Sequence, residues 1–433
     1  YGVNFKCGQE ATLRMINAMV VYSVFNFYGL ITLKDENNLR NLVEMSYKKV
    51  LSNFFYAHKC IKNNHTLSEI TGLIIGAWCC NDDIKLRKAY KLLDKEIENQ
   101  FLPDGGYIQY SFNYQRLALQ IMECVLKISE KTNYSISKKS KMLLKKSAIL
   151  MYQMQYESGD LPNYGSNDGA LIFPVTSCSY RDFRPVLNTI YTLLDRKRLY
   201  KAGNYDEEIL WFSNRNIDDI PIYKIEKESS AFNESGFYSL RHASGFLMTV
   251  LQNFKTRPAQ MDQLHIDLWH KGRNLFCDSG TYSYANDIGK NMALTSAHNT
   301  VKFKDKEQMN KHGQFLIYDW TSTKDVKHNT ESFSGTMVSK NGYKHTRSIK
   351  KNQYGYLIED KVIGKGEHCI FIFHTPCEVK VNEEGFKLYD EDELLCIVIT
   401  TGDIEVNKTY RSLYYLKKEE INCVSVKCST TNN

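Results

Sequence analysis

The spacing of the apolar residues changes near residue 205, and this change constrains the fold more than any other feature of the sequence. Up to Tyr200, apolar residues recur every three or four positions, as in the segment 143–151, which is typical of amphipathic helices. Beyond residue 205, short alternating segments such as 236–241 and 368–374 predict β-strands. A series of helices followed by a series of strands indicates an α+β multidomain protein.

Further helical stretches are joined by loops that contain Pro103-Asp-Gly-Gly and Pro162-Asn-Tyr-Gly. They cover roughly 37–60, 66–80, 84–98, 112–130 and 185–200. Because no sequence repeat of solenoid length accompanies them, a helical toroid is favoured over a solenoid. We predict a helical toroid in residues 1–205 and an antiparallel β-sandwich in residues 206–433, with the Asn- and Asp-rich stretch 204–220 as the crossing between them.

Composition narrows the classes of ligand and location. The formal net charge of +7 comes from basic residues spread along the 433-residue chain, which favours an acidic ligand over a nucleic acid; nucleotide composition is an equally good explanation of that charge. The 12 cysteines show no CxxC spacing, so we expect mostly reduced thiols and no zinc finger. No apolar run is long enough for a membrane span, and the oligomeric state stays open. We expect a periplasmic or secreted protein if a leader has been removed before Tyr1, and a cytoplasmic one otherwise.

The segment 63–69 predicts the start of a helix beside two polar side chains. Thr66 and Glu69 have the spacing of a capping box, so we expect the helix to begin directly after His65. Asn64 and His65 would then lie at a helix N-terminus, where backbone amides and the helix dipole favour an anion such as a substrate carboxylate. An ordinary Asn-Asn turn is the alternative, and from this segment alone it is the more frequent outcome.

Two further segments concentrate polar groups. A glycine turn at 104–106 is followed by a helix start that carries Tyr114 and Arg116, which could face one cleft, although aromatic residues in such a segment more often form core. In the strand-like half, several acids, histidines and tyrosines recur between 262 and 300. Buried polar groups on strands require partners or a metal ion.

Taken together, six ordered motifs resemble the heparinase II/III-like polysaccharide lyases, which include heparin, heparan and alginate lyases. The motifs are Asn64-His65, Asp104-Gly-Gly-Tyr through Tyr114-x-Arg116, Pro162-Asn-Tyr-Gly-Ser-Asn-Asp-Gly169, Asp262-Gln-Leu-His265, Asp278-Ser-Gly-Thr-Tyr282 and His298-Asn-Thr300. The likeness covers roughly residues 1–305. It implies an N-terminal incomplete (α/α) toroid followed by a C-terminal antiparallel β-sandwich, in a bacterial protein.

The resemblance implies cleavage of a uronic-acid-containing glycan by β-elimination. In this chemistry Asn64 would neutralise the substrate carboxylate, and His65 would be the base or a charge stabiliser. Tyr114 would be the acid, with the role of base also open to it, and an ordinary phenol keeps its proton at neutral pH. The residues expected to bind substrate are Gln9, Arg116, Tyr284 and His265.

This chain departs from the family pattern at three positions. Gln260 replaces a histidine that helps to bind metal in several members, so a structural zinc or calcium ion at Gln260, Asp278 and His298 would be weakly held, and the chemistry would not require it. Gln115 and Ala293 replace a family histidine and arginine, which predicts a different glycan.

Two other functions compete with the lyase. A non-catalytic glycan-binding relative would keep the cleft and lose the reaction. An inverting glycoside hydrolase would need two separated carboxylates, for which Asp104 and Asp168 are the candidates.

Overall fold

The computed structural model describes residues 5–242, 245–364 and 368–429. Its first half is helical. The helices are α1 (Gly8–Phe27), α2 (Leu33–Tyr56), α3 (Asn64–Cys79), α4 (Asp83–Gln100), α5 (Phe112–Ser129), α6 (Lys138–Met154), α7 (Arg184–Asp195), α8 (Glu207–Phe212) and, within the second half, α9 (Asp287–Asn291). Short polar side chains begin several of them: Thr32, Asp82, Ser111 and Ser137 each accept a hydrogen bond from a backbone amide of the first turn.

Helix α3 lies at the centre of the helical half and contacts α1, α2, α4 and α5. Two glycines on α3 allow this close packing. A β-carbon at Gly72 would lie 2.1 Å from Oγ1 of Thr12 in α1, and one at Gly76 would lie 2.3 Å from Cδ2 of Tyr47 in α2. The N-terminus of α3 is therefore fixed against neighbouring helices.

The second half consists of antiparallel sheets. The strands are β1 (Ala231–Phe232), β2 (Phe237–His242), β3 (Gly245–Val250), β4 (Ile266–His270), β5 (Arg273–Phe276), β6 (Val301–Phe303), β7 (Asn310–His312), β8 (Leu316–Tyr318), β9 (Ser322–His328), β10 (Ser332–Ser339), β11 (Tyr343–Asn352), β12 (Gly355–Gly364), β13 (His368–Thr375), β14 (Glu378–Asn382), β15 (Gly385–Asp390), β16 (Glu393–Ile399), β17 (Asp403–Tyr414) and β18 (Lys417–Ser429). They form sheets in the orders β1-β2-β3-β4-β5, β12-β11-β10-β9, β17-β18-β13-β6 and β14-β15-β16, with β7-β8 as a separate hairpin. The predicted sequence of helices followed by antiparallel sheets is confirmed.

The first sheet packs against the helical half through aromatic side chains. The ring of Phe237 lies 5.1 Å from that of Phe112 and 5.0 Å from that of Tyr164, and Trp269 lies 5.2 Å from Tyr156. Together these contacts join the two halves in one apolar core.

The stretch 204–220 differs from the crossing that we predicted. It contains α8, which packs against α7 and α5, and Asp206 within it is buried in an ion pair with Arg198 at 3.1 Å. Helical elements thus continue past the boundary predicted at residue 205. Among the described residues, no helix combines the length and apolar character needed to cross a membrane.

Candidate active site

The N-terminus of α3 presents Asn64 and His65, as predicted, but its cap is different. Asn63, rather than Thr66, caps the helix by accepting a hydrogen bond from the backbone amide of His65 at 2.9 Å. The hydroxyl of Thr66 instead donates to the carbonyl of Ala57. The predicted capping box is therefore wrong, because the polar atoms of Thr66 and Glu69 have partners outside the first turn of α3.

Glu69 contacts the start of α1 and not the first turn of its own helix. Its carboxylate accepts hydrogen bonds from the backbone amides of Gly8 and Gln9 at the start of α1, and burial raises its pKa to about 7. A β-carbon at position 8 would lie 2.4 Å from Cδ of Glu69, so only glycine fits this contact. Glu69 consequently fixes the first turn of α1.

Gln9 and Asn64 are held together by this arrangement. The side-chain oxygen of Gln9 accepts hydrogen bonds from Nδ2 of Asn64 and from Oγ of Ser68, both at 2.9 Å. The backbone amide of Asn64 donates to Oε1 of Gln109 at 3.0 Å. Asn64 is only 3% exposed, so its amide has a defined orientation. Within the described residues, one of the two side-chain N–H groups of Asn64 donates to Gln9, and the other makes no hydrogen bond.

His65 is half-buried, and its ring nitrogens have no hydrogen-bond partner within the described part of the chain. Burial lowers its pKa, while the carboxylates of Asp168 and Glu10 act in the opposite direction. The imidazole is therefore neutral at pH 7 and able to accept a proton.

Tyr114 lies in the first turn of α5, where Ser111 caps the helix by accepting from the Tyr114 amide. Its phenol donates to Oδ2 of Asp168 at 3.0 Å and lies 3.1 Å from the phenolic oxygen of Tyr284. Burial and these two neighbours raise the pKa of Tyr114 well above its ordinary value. Tyr114 thus keeps its proton at neutral pH. Asp168, which was a hydrolase candidate, accepts this hydrogen bond from Tyr114, and its charge also acts to raise the pKa of His65.

Tyr284 reaches this point from the β-half. Its ring contacts those of Tyr415 at 5.6 Å and Phe315 at 5.3 Å, and the guanidinium of Arg257 lies 5.8 Å from the ring of Phe315. Groups from both halves therefore meet at the phenol of Tyr114, as expected for a large site between domains.

Arg116 differs from our expectation of direct sugar contact. It is 1% exposed, and its guanidinium donates to the carbonyls of Tyr180 and Ala170 and to Oδ1 of Asn113. It also packs against the rings of Tyr180 and Phe183. In this structure Arg116 positions the loop that carries Asp168.

A second polar cluster lies deeper in the β-half. One ligand atom each from His265, Asp278 and His298 lies within 4.8 Å of the others, and all three residues are buried. Nδ1 of His298 is 2.7 Å from Oδ2 of Asp278, and Nδ1 of His265 accepts from the backbone amide of Asn299. Within the described ranges, Nε2 of both histidines and Oδ2 of Asp267 have no hydrogen-bond partner, and Nε2 of His265 lies 4.0 Å from Oδ2 of Asp267 and 3.9 Å from Oδ2 of Asp278. Buried nitrogen and oxygen atoms without a hydrogen-bond partner are suitable ligands for a divalent cation.

This cluster changes two predicted assignments. The amide of Gln260 accepts from the Gly165 backbone at 3.1 Å and donates to the Gly280 carbonyl at 3.3 Å, so it bridges two loops instead of offering a free metal ligand. His265 takes its place beside Asp278 and His298. Because His265 is 1% exposed, the predicted substrate contact of this residue is not available in this structure.

Comparison with known proteins gives one family match and several similar proteins. Residues 224–423 match the family model for the Heparinase II/III-like C-terminal domain. The second half of the chain is thus similar to the heparinase II/III-like C-terminal domain. The chain is also similar to a curated heparin-sulfate lyase from Bacteroides thetaiotaomicron, with 22% identity over 320 residues that cover 69% of this chain and 43% of that protein.

Two solved structures show the same fold. A heparinase III superposes with a TM-score of 0.73 at 17% identity, over 99% of this chain and 66% of that one. A mutant heparan sulfate lyase from Pedobacter heparinus gives a TM-score of 0.70 at 15% identity, over 98% and 66%. The chain therefore spans less than half of the curated relative and about two thirds of the solved chains. The family resemblance and fold predicted from the motifs are confirmed.

The sequence analysis missed Arg257 and Phe315. Neither belongs to one of the six motifs, and only the tertiary structure brings them to Tyr284. The role of Glu69 was also missed, because its partners are 60 positions away in sequence.

Proposed function

We propose that this chain is a polysaccharide lyase that cleaves a uronic-acid-containing glycan by β-elimination. One observation carries the proposal: the phenol of Tyr114 donates to the carboxylate of Asp168, whose charge also raises the pKa of His65, and both residues lie where the motifs predict an acid and a base. The names of the similar proteins, heparin-sulfate lyase and heparinase III, suggest a glycosaminoglycan as the substrate class.

The difficult step is removal of the proton on the carbon next to the uronate carboxylate, because negative charge accumulates on that group. Asn64 would offset this charge through its free N–H, assisted by the positive end of α3. Since Gln9 and Ser68 fix the Asn64 side chain before substrate arrives, this interaction requires little rearrangement.

The two proton transfers then fall to different residues. His65, neutral because burial lowers its pKa, takes the proton from the carbon. The electron pair forms the carbon–carbon double bond, and the bond to the glycosidic oxygen breaks. Tyr114 gives its phenolic proton to that oxygen and is re-protonated afterwards. Free Tyr114 is a poor base, because its pKa lies well above neutral pH.

We also propose that His265, Asp278 and His298 hold a divalent cation, which the buried orphan atoms of this cluster support. When bound, the cation would neutralise the buried acids and stiffen the loops between the two halves. Elemental analysis of the purified protein and of a His298→Ala variant tests this assignment. About one metal ion per chain, lost in the variant, is the expected result.

The test of function is ultraviolet absorbance after the protein is mixed with a panel of uronate polysaccharides, because elimination leaves a conjugated double bond. We expect absorbance to rise with at least one polymer, and the Tyr114→Phe variant to lose the rise while it keeps the circular-dichroism spectrum of the parent protein. Tyr134→Phe is the matched control, since Tyr134 hydrogen-bonds Asp83 at an exposed position.

Other outcomes identify the alternatives. New reducing ends without absorbance would indicate a hydrolase, although Asp104 already accepts from the backbone amides of Ser235 and Gly106. Binding without any product would indicate a non-catalytic glycan-binding protein. Full turnover by Tyr114→Phe would refute the role of Tyr114.

A further inference from the structure

Arg257 is an exposed cation at the edge of the candidate active site. Among the described residues, its guanidinium has neither a carboxylate partner nor a hydrogen bond, and it lies 5.8 Å from the centre of the Phe315 ring. Burial lowers the pKa of Arg257, and Tyr114 acts on it in the opposite direction. An arginine without a partner beside a glycan site is available for an anion.

The loop that carries Arg257 is anchored on the helical half. The backbone amide of Lys255 donates to the phenolic oxygen of Tyr110 at 2.8 Å, and the hydroxyl of Thr256 donates to the carbonyl of Ile108. The ring of Phe254 packs edge-on against Tyr110 at 5.1 Å. The backbone of Arg257 is thus held to the segment that leads into α5 and Tyr114, so its position is fixed before a ligand binds.

Phe315 provides an apolar surface at the same place. It lies at the turn of the β7-β8 hairpin, and its ring contacts that of Tyr284 at 5.3 Å.

 Phe315 is 52% exposed, and the phenolic oxygen of Tyr284 lies 3.1 Å from that of Tyr114. An exposed aromatic ring beside a cation is suited to the apolar face and the charged substituent of one sugar.

We propose that Arg257 and Phe315 form a subsite for the sugar next to the cleaved bond, in which Arg257 binds an anionic substituent of that sugar, a carboxylate or a sulfate. This inference rests on the proposed function and adds a determinant of specificity to it. The reacting uronate carboxylate is already assigned to Asn64, so the Arg257 guanidinium serves a second anion. Its planar fork can pair with either group in a bidentate manner.

The test compares Arg257→Ala and Arg257→Lys with the parent protein on three polymers. In unsulfated N-acetyl heparosan the neighbouring sugar is neutral, in heparan sulfate it is sulfated, and in alginate it carries a carboxylate. We expect Arg257→Ala to raise KM about 10- to 100-fold on a polymer with the anionic neighbour, the factor typical of a hydrogen bond to a charged group, and to leave kcat nearly unchanged. A loss on heparan sulfate identifies sulfate, and a loss on alginate identifies carboxylate. Arg257→Lys keeps the charge and should lose less.

Two control variants separate this effect from loss of charge or of apolar surface. Lys255→Ala removes a cation two positions away that is paired with Glu234 at 2.6 Å, and Leu316→Ala removes an exposed apolar side chain next to Phe315. Both should bind as the parent protein does, whereas Phe315→Ala should raise KM. An equal KM increase on heparosan, or no increase on any polymer, would overturn the proposal.

Binding measured separately from turnover distinguishes the two proposals. Affinity electrophoresis of the Tyr114→Phe variant, with and without Arg257→Ala, uses the same three polymers. Binding that depends on Arg257 without cleavage by the parent protein would refute the lyase and retain the subsite. Cleavage that is indifferent to Arg257 would refute the subsite and retain the lyase, and absence of binding to all three polymers would overturn the subsite.

Discussion

Replacing Glu69 by glutamine should change how the stability of the protein depends on pH. Glu69 is 3% exposed, and its Oε2 atom lacks a hydrogen-bond partner in the described part of the chain. Burial raises its pKa to about 7, although the amides of Gly8 and Gln9 favour the charged form. Glutamine has the same shape and cannot titrate, so the comparison isolates the ionisation of this one carboxyl group.

The magnitude follows from the two pKa values. A rise from 4.5 to about 7 corresponds to about 3 kcal/mol, at about 1.4 kcal/mol for each pKa unit. Because the folded protein binds this proton more tightly than the unfolded chain, the stabilisation is complete below pH 4.5 and is lost as the pH rises to 7. The parent protein should therefore lose about 3 kcal/mol of unfolding free energy relative to Glu69→Gln over this interval.

Urea unfolding followed by circular dichroism at several pH values between 4.5 and 8 measures this difference. Glu208, whose pKa is also raised to about 7, is present in both proteins and cancels in the comparison. Glu98→Gln, at an exposed position paired with Lys139, is the control and should show a nearly constant offset from the parent. A constant offset for Glu69→Gln as well would refute the reasoning.

Two further predictions concern the β-half and the catalytic pH range. Replacing Arg347 by methionine leaves the buried carboxylate of Asp360 without its main partner, so unfolding free energy should fall by about 3–5 kcal/mol in denaturant titrations; a loss below about 1 kcal/mol would contradict this. Because burial lowers the pKa of His65, kcat/KM should decline on the acid side only below the ordinary histidine value of 6.5, and a decline that begins above pH 7 would exclude His65 as the base.

The sequence was sufficient to predict features that depend on local pattern. The change in apolar spacing near residue 205 identified the order of helices and sheets, and α3 begins at Asn64, two residues before the predicted start at Thr66. Asn64, His65 and Tyr114 were found because each lies in a motif of contiguous residues. Their proposed roles stay predictions.

Features that depend on tertiary contacts were not predictable in this way. Thr66 and Glu69 have capping-box spacing, yet the Glu69 carboxylate turns to the first turn of α1. Arg116 and Gln260 look available in sequence, but backbone groups from distant loops occupy their polar atoms. Spacing along the chain cannot reveal such partners, because a side chain meets them only after the helices and sheets have packed.

The hydrogen bond between Tyr114 and Tyr284 has a consequence for how this protein could diversify. It joins a phenol of the helical half to one of the β-half, while Asn64 and His65 lie wholly in the helical half and Arg257 and Phe315 lie in the β-half. Under the proposed roles, the groups that break the bond and the groups that select the sugar are inherited on separate segments. Exchange of the β-half between relatives would then change which glycan is preferred and leave the elimination chemistry unaltered, provided that the hydrogen bond between Tyr114 and Tyr284 is kept.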